Sequence, residues 1–138
     1  ESYGGVKVDN LNNSLKTSDF ISIHMPLNEK TKNLIDFNKL KSMKNNAIII
    51  NTARGGIINE IDLDKALKQN LIFGAGLDVF EKEPIDMNSP LIKNNKILLS
   101  PHSATFTKEC KIRMGIETVQ NIINFFENKI EKSMIVKL

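Results

Sequence analysis

The chain has 138 residues, with 19 Lys plus Arg against 16 Asp plus Glu and a formal net charge of +3. Hydrophobic residues make up 41% and charged residues 25%, the balance expected of one soluble globular domain with a real core. The excess charge is spread out rather than clustered, and no apolar run approaches the ~18 residues that span a bilayer, which argues against nucleic acid and membrane as partners.

Periodicity predicts alternating strands and helices. A short strand over Val6–Val8 leads into a helix over Leu11–Thr17. Asp19–His24 reads as a strand, rich in Ile and Phe, that Pro26 ends. Asp36–Lys44 reads as a helix with Asp36 as N-cap and Phe37, Leu40 and Met43 on one face. Ala47–Asn51 is the clearest buried strand. Its Ile48, Ile49 and Ile50 run without polar alternation, and such a run expects cover on both faces, as in a parallel sheet. Asn59–Gln69 makes the next helix, with Ile61, Leu63, Ala66 and Leu67 inward. Strands follow over Leu71–Asp78 and Lys96–Ser100, separated by a loop, Glu81–Asn95, that Pro84 and Pro90 punctuate. A long amphipathic helix covers Thr107–Asn128, and the apolar tail Met134–Val136 reads as an extra strand. The expected class is α/β with a parallel sheet.

Ligands of such sheets bind beyond the carboxyl ends of the strands. Four consecutive strands end there in polar residues: His24 with Pro26, Asn51-Thr52-Ala53-Arg54, Asp78, and Pro101-His102. Of the 19 basic residues only Arg54 and Arg113 are arginine, which marks each as a position where lysine does not serve. Arg54 precedes Gly55-Gly56, and its planar fork suits a carboxylate, although an arginine in a tight surface turn reads the same way. His102 fits a general acid or base, or else a satisfied core histidine. His24 reads as a strand-end packing or cofactor-edge residue. Asp78 closes a strand of small residues, where a carboxylate contacts a ligand or caps a helix. Glu81 and Glu83 lie within reach of the same edge, and as isolated residues they read as solvated loop charges.

One cysteine, Cys110, excludes an internal disulfide and fits a reducing, cytoplasmic compartment; with two histidines it leaves no set for structural zinc. Gly74-Ala75-Gly76 begins the dinucleotide-binding pattern Gly-x-Gly-x-x-Gly, but Val79 breaks it. The chain opens on Glu1 rather than Met, as a piece of a longer protein would.

Ser18-Asp19-Phe20-Ile21-Ser22-Ile23-His24-Met25-Pro26 with Thr31 resembles one signature of the D-isomer-specific 2-hydroxyacid dehydrogenases. Met43-Lys44 through Ile48-Ile49-Ile50-Asn51-Thr52-Ala53-Arg54-Gly55-Gly56 resembles a second. Gly76-Leu77-Asp78-Val79-Phe80 with Glu83-Pro84, and Ser100-Pro101-His102, complete the set in order across essentially the whole chain.

The resemblance implies a two-domain NAD-dependent enzyme. Residues 1–106 would be the later part of its NAD-binding domain, a Rossmann-like doubly wound sheet with the first strands and the phosphate loop upstream. Residues 107–138 would be a crossover helix and tail returning toward a substrate domain. By the same resemblance Arg54 would grip the substrate carboxylate and His102 would exchange a proton with the carbonyl oxygen. Glu83 would hydrogen-bond His102 and favour its charged form. Asp78 would contact the nicotinamide side of NAD, and Met25 and Pro26 would lie by the adenosine. Thr52, Ala53 and the segment His102, Ser103, Ala104 and Thr105 would also line the cofactor. Pairing into a homo-oligomer, a dimer or tetramer, is implied as well.

Within the family, Thr107-Lys108-Glu109 with Arg113, Gly115 and Glu117 resembles the phosphoglycerate dehydrogenases of serine synthesis, so 3-phosphoglycerate is the expected substrate. A glyoxylate or hydroxypyruvate reductase is the alternative, as is an NAD(H)-binding corepressor that keeps the same motifs. Two departures stand out. A glycine is usual after His102, where this chain has Ser103-Ala104-Thr105-Phe106, and Asn59 stands where aspartate is common. On its own the 138-residue chain is expected to bind NAD poorly and to turn nothing over.

Overall fold

A computed structural model describes residues 4–135. Two compact units divide the chain, Glu1–His102 and Ser103–Leu138. In the first, helix α1 (Leu11–Thr17) precedes strand β1 (Phe20–Ile23). Helix α2 (Phe37–Ser42), strand β2 (Ile48–Asn51), helix α3 (Glu60–Lys68) and strand β3 (Gly74–Leu77) follow. A 3-10 turn (Pro90–Lys93) then leads to strand β4 (Ile97–Leu99). All four strands are parallel, and their spatial order, β1-β2-β3-β4, is their order in sequence.

Each helix starts where a short polar side chain satisfies a first-turn amide that has no partner inside the helix. Asn10 accepts from the Asn13 amide, Asp36 from Lys39 and Asn59 from Asp62. Leu15, Leu40, Leu63, Ala66 and Leu67 are buried together with Ile23, Ile49, Ala75 and Leu77 of the strands. Full burial of each large aliphatic side chain contributes about 1.5–3 kcal/mol.

A buried carboxylate, Asp64, sits beside them. Asp64 of α3 accepts from Asn94 Nδ2 at 2.9 Å and from Lys68 Nζ at 2.6 Å, which ties the helix to the segment entering β4. Burial pushes its carboxyl up, but the two hydrogen bonds and the Lys68 charge outweigh it and hold Asp64 below the usual range.

Three expectations need correction. Val6 and Val8 are exposed and form no strand, because no neighbour in the described sheet extends to them. Ile61 is 74% exposed: it lies about 200° around the helix from Leu63, and Asp64 takes the inward place. Within the first unit, α1, α2 and α3 pack on one face of the sheet. Its strands advance in one direction, so successive right-handed crossovers land on the same side. On the strands, Phe20 is 72% and Leu98 79% exposed, beside half-buried Ile48 and Ile50. Finally, Met134 closes a 3-10 turn (Lys132–Met134) rather than a strand, and Val136 lies outside the described residues.

The second unit is helix α4 (Lys108–Phe126), capped by the Thr107 hydroxyl, which accepts from the Cys110 amide. None of its residues is buried; Ile112, Ile116, Val119, Ile122, Ile123 and Phe126 are all exposed. Among the described residues no helix is long and apolar enough to cross a membrane, and no three His, Cys, Asp or Glu cluster as metal ligands.

Candidate active site

The carboxyl end of β2 is organised by its last residue. Asn51 is 2% exposed, and its amide serves both sides of the following turn. Nδ2 donates to the Arg54 carbonyl at 2.9 Å, and Oδ1 accepts from the Ala53 amide at 3.0 Å. Its backbone carbonyl accepts from the Asp78 amide at 3.0 Å, so β2 and β3 leave the sheet in register. Thr52 and Arg54 are exposed and Ala53 is half-buried. Arg54 Nη1 donates to the Ala53 carbonyl at 2.7 Å.

Gly55 follows because nothing larger fits. A Cβ there would stand 1.9 Å from the Phe80 carbonyl oxygen. Gly56 has φ +79°, a conformation that side chains rarely tolerate, and its carbonyl accepts from the Asn33 amide at 2.7 Å.

The loop after β3 folds back on itself. Asp78 is buried, with Oδ1 accepting from Ser100 Oγ at 2.5 Å. Glu83 Oε1 accepts from the Phe80 amide at 3.0 Å, and Oε2 meets His102 Nδ1 at 2.7 Å. A carboxylate only accepts, so Nδ1 carries a proton and Nε2 is the ring atom left for chemistry. His102 holds φ +51°, an uncommon backbone state for a side chain of its size, of the kind found at functional sites.

The hydrogen bond from His102 holds the Glu83 carboxyl below its ordinary range, helped by the Phe80 amide and by the charges of His102 and Arg54. Arg54 is thus near enough for its charge to be felt at the pair. On the far side of the loop, the Glu81 amide donates to Glu60 Oε1 at 2.6 Å, at the start of α3. Burial raises the Glu60 carboxyl, the Glu81 amide opposes this, and the Glu81 charge adds to it.

Arg54, Glu83 and His102 therefore follow three neighbouring strands, with Glu83 and His102 in direct contact. A small cavity of about 160 Å³ opens beside the pair, lined by Phe80, Glu83, Pro84, Ile85, Pro101 and His102. Met25, half-buried, and Pro26, exposed, follow β1 on the other side of β2. There the Pro26 carbonyl accepts from Thr31 Oγ1 at 2.7 Å. His24 is exposed, with Nε2 at 2.7 Å from Ser22 Oγ, and takes no part in the Glu83–His102 contact.

Ser103 is half-buried, Ala104 and Thr105 are exposed, and Cys110 is a half-buried free thiol in α4. Sequence reasoning missed Glu60, which follows a capping Asn59 and so looks like an ordinary first-turn acid. It also missed the roles of Asn51 and Ser100, whose polar character at strand ends was the only signal.

A family model described as D-isomer specific 2-hydroxyacid dehydrogenase, NAD binding domain, matches residues 1–104. The chain belongs to that family. It is 39% identical over 131 residues to a glyoxylate reductase of Aeropyrum pernix, covering 95% of this chain and 39% of that protein. It is 37% identical over 135 residues to a D-3-phosphoglycerate dehydrogenase of Methanocaldococcus jannaschii, covering 98% of this chain and 26% of that one. Among solved structures it is similar to the NAD-complexed D-isomer specific 2-hydroxyacid dehydrogenase of Lactobacillus delbrueckii ssp. bulgaricus. The TM-score there is 0.79 at 28% identity, over 92% of this chain and 42% of that one. The chain thus spans about two fifths or less of these dehydrogenases. Their fold accounts for the parallel sheet.

Proposed function

We propose that the chain serves an NAD-dependent oxidoreductase that interconverts a small D-2-hydroxy acid and its 2-oxo acid. The observation that carries this reading is the Glu83–His102 contact at 2.7 Å, on the strand edge that also presents Arg54. The Arg54 fork neutralises and aligns the substrate carboxylate. His102 is the proton-transfer residue: its Nε2 gives a proton to the carbonyl oxygen on reduction and takes it back on oxidation. Glu83 holds the Nδ1 proton throughout and balances the imidazolium charge.

NAD, when bound, supplies or removes the hydride at the carbon that bears this oxygen. At its nicotinamide end Thr52 offers an exposed hydroxyl, and Asp78, held by Ser100 at the same strand edge, is the carboxylate proposed beside it. Ala53, Arg54, His102, Ser103, Ala104 and Thr105 are the further residues proposed against the cofactor, with Met25 and Pro26 at its adenosine. Residues 1–106 are read as the later part of the nucleotide-binding domain and 107–138 as a crossover helix and tail. A homo-oligomer in the cytoplasm remains part of this reading.

Two substrates are in play. The phosphoglycerate dehydrogenase relative and the Thr107–Glu117 motif support 3-phosphoglycerate. The glyoxylate reductase relatives support an unphosphorylated acid.

NADH oxidation by the intact protein, offered 3-phosphohydroxypyruvate, hydroxypyruvate and glyoxylate side by side, separates them. Preference for either unphosphorylated acid places the protein among the reductases, and preference for the phosphorylated one restores serine synthesis. NADH binding without turnover of any of the three would overturn the enzymatic reading in favour of a binding protein.

A further inference from the structure

Glu60 stands outside the substrate and cofactor machinery, yet its carboxylate reaches the loop that carries Glu83. Its Oε1 accepts from the Glu81 amide at 2.6 Å, across 21 residues of sequence. One residue earlier, the Phe80 amide donates to Glu83 Oε1. Glu83 Oε2 in turn holds His102 Nδ1. The contacts form a chain of adjacent groups: α3, the Glu81 amide, the Phe80–Glu83 turn, and the imidazole. Glu60 is the first residue of α3, on a helix whose inward face is fully packed through Leu63, Ala66 and Leu67, so its anchor point is rigid.

We infer that Glu60 is a positioning residue, which holds the Phe80–Glu83 turn through the Glu81 amide and so keeps the Glu83 carboxylate on His102 Nδ1. The inference rests on the reading of Glu83 and His102 as the proton-transfer pair, but its test needs no substrate. What matters is the reach of the side chain, not its charge. Glu60→Gln keeps an oxygen at the same length and still accepts from Glu81. Glu60→Asp keeps the charge but draws the oxygen back by about 1.5 Å, one carbon–carbon bond, and loses the amide. Aspartate remains a favourable residue in a first helical turn, so α3 itself is not weakened.

The tautomer of neutral His102 reports the contact directly, because the hydrogen bond at one ring nitrogen decides which nitrogen carries the proton. Nitrogen-15 NMR of this chain at about pH 9, where imidazoles are neutral, reads it. His24, bonded to Ser22, serves as the internal control. Wild type and Glu60→Gln are expected to show His102 mostly protonated at Nδ1. In Glu60→Asp the population moves mostly to Nε2, with the His24 signals unchanged.

A wild-type tautomer in Glu60→Asp would overturn the inference. So would loss of Nδ1 protonation in Glu60→Gln, which would make charge the agent. Displaced His24 signals in Glu60→Asp would overturn it too, by showing that Glu60 supports the fold as a whole. Absence of catalysis in the intact protein would remove the proposed reaction and leave the tautomer result standing.

Discussion

Glu83 and His102 meet at 2.7 Å, with the other oxygen of Glu83 already committed to the Phe80 amide. Both oxygens are therefore engaged, and the imidazole is oriented by a carboxylate that the main chain also holds. His102→Ala in the intact protein is expected to lower turnover of the preferred 2-oxo acid by about 10²–10⁴-fold, the usual range for a lost general acid. NADH binding should change little. A variant with near-normal turnover would remove His102 from the chemistry.

Asn51 spends its whole side-chain amide on the Arg54 turn. Asn51→Leu keeps the size but leaves the Ala53 amide and the Arg54 carbonyl without partners. The expected cost is about 1–3 kcal/mol in urea unfolding. In the intact protein KM for the acid should rise more than kcat falls, because the carboxylate fork is displaced. Unfolding within ~0.5 kcal/mol of wild type, the scatter of ordinary surface changes, would refute the clamp.

Two glycines should respond in opposite directions to the same substitution. Gly55→Ala forces a Cβ to within 1.9 Å of the Phe80 carbonyl oxygen, so backbone must move, at a cost of roughly 1–3 kcal/mol or more. Gly115 lies inside α4 with nothing within 4 Å of its Cβ position, and Gly115→Ala should stabilise the helix by about 0.5–1 kcal/mol. Thermal unfolding of the two variants, compared with wild type, checks both signs.

The carboxylates set an acid limit. Asp64, Asp19 and Glu83 are held below their ordinary values of 3.8, 3.8 and 4.5. Each therefore contributes stability that is fully present above its ordinary value and lost as pH falls through its lower value in the fold. Glu60 works the other way: raised above 4.5, it costs stability at neutral pH and recovers it on protonation. Urea midpoints should drop between about pH 5 and pH 2. Asp64→Asn, which still accepts from Asn94, should flatten that drop. An unchanged pH slope in this variant would show that Asp64 does not share in it.

What the sequence revealed was mostly local. Helix α1 has the expected bounds, and Asp36 caps α2 as its position suggested, because a cap and its amide lie three residues apart. Val6–Val8 failed for the opposite reason: β-branched residues make a strand only where a neighbour pairs with them. Ile61 faces solvent because each residue turns the helix by about 100°, which sets it on the opposite side from Leu63 two positions on. Arg54, Glu83 and His102 could be nominated as a trio because each lies within a recognisable motif. Glu60 could not, since its partner is a main-chain amide 21 residues away, and any residue type at position 81 other than proline would supply it.

The contact of Gly55 with Phe80 also bears on how such a site can diverge. The loop that carries Arg54 and the loop that carries Glu83 lie back to back with no room for a single carbon between them. A bulkier residue at this contact displaces the other loop, so a change there calls for a matching change around Phe80. The segment after β1 joins the same turn through the Asn33 amide on the Gly56 carbonyl, so it would have to adjust with them.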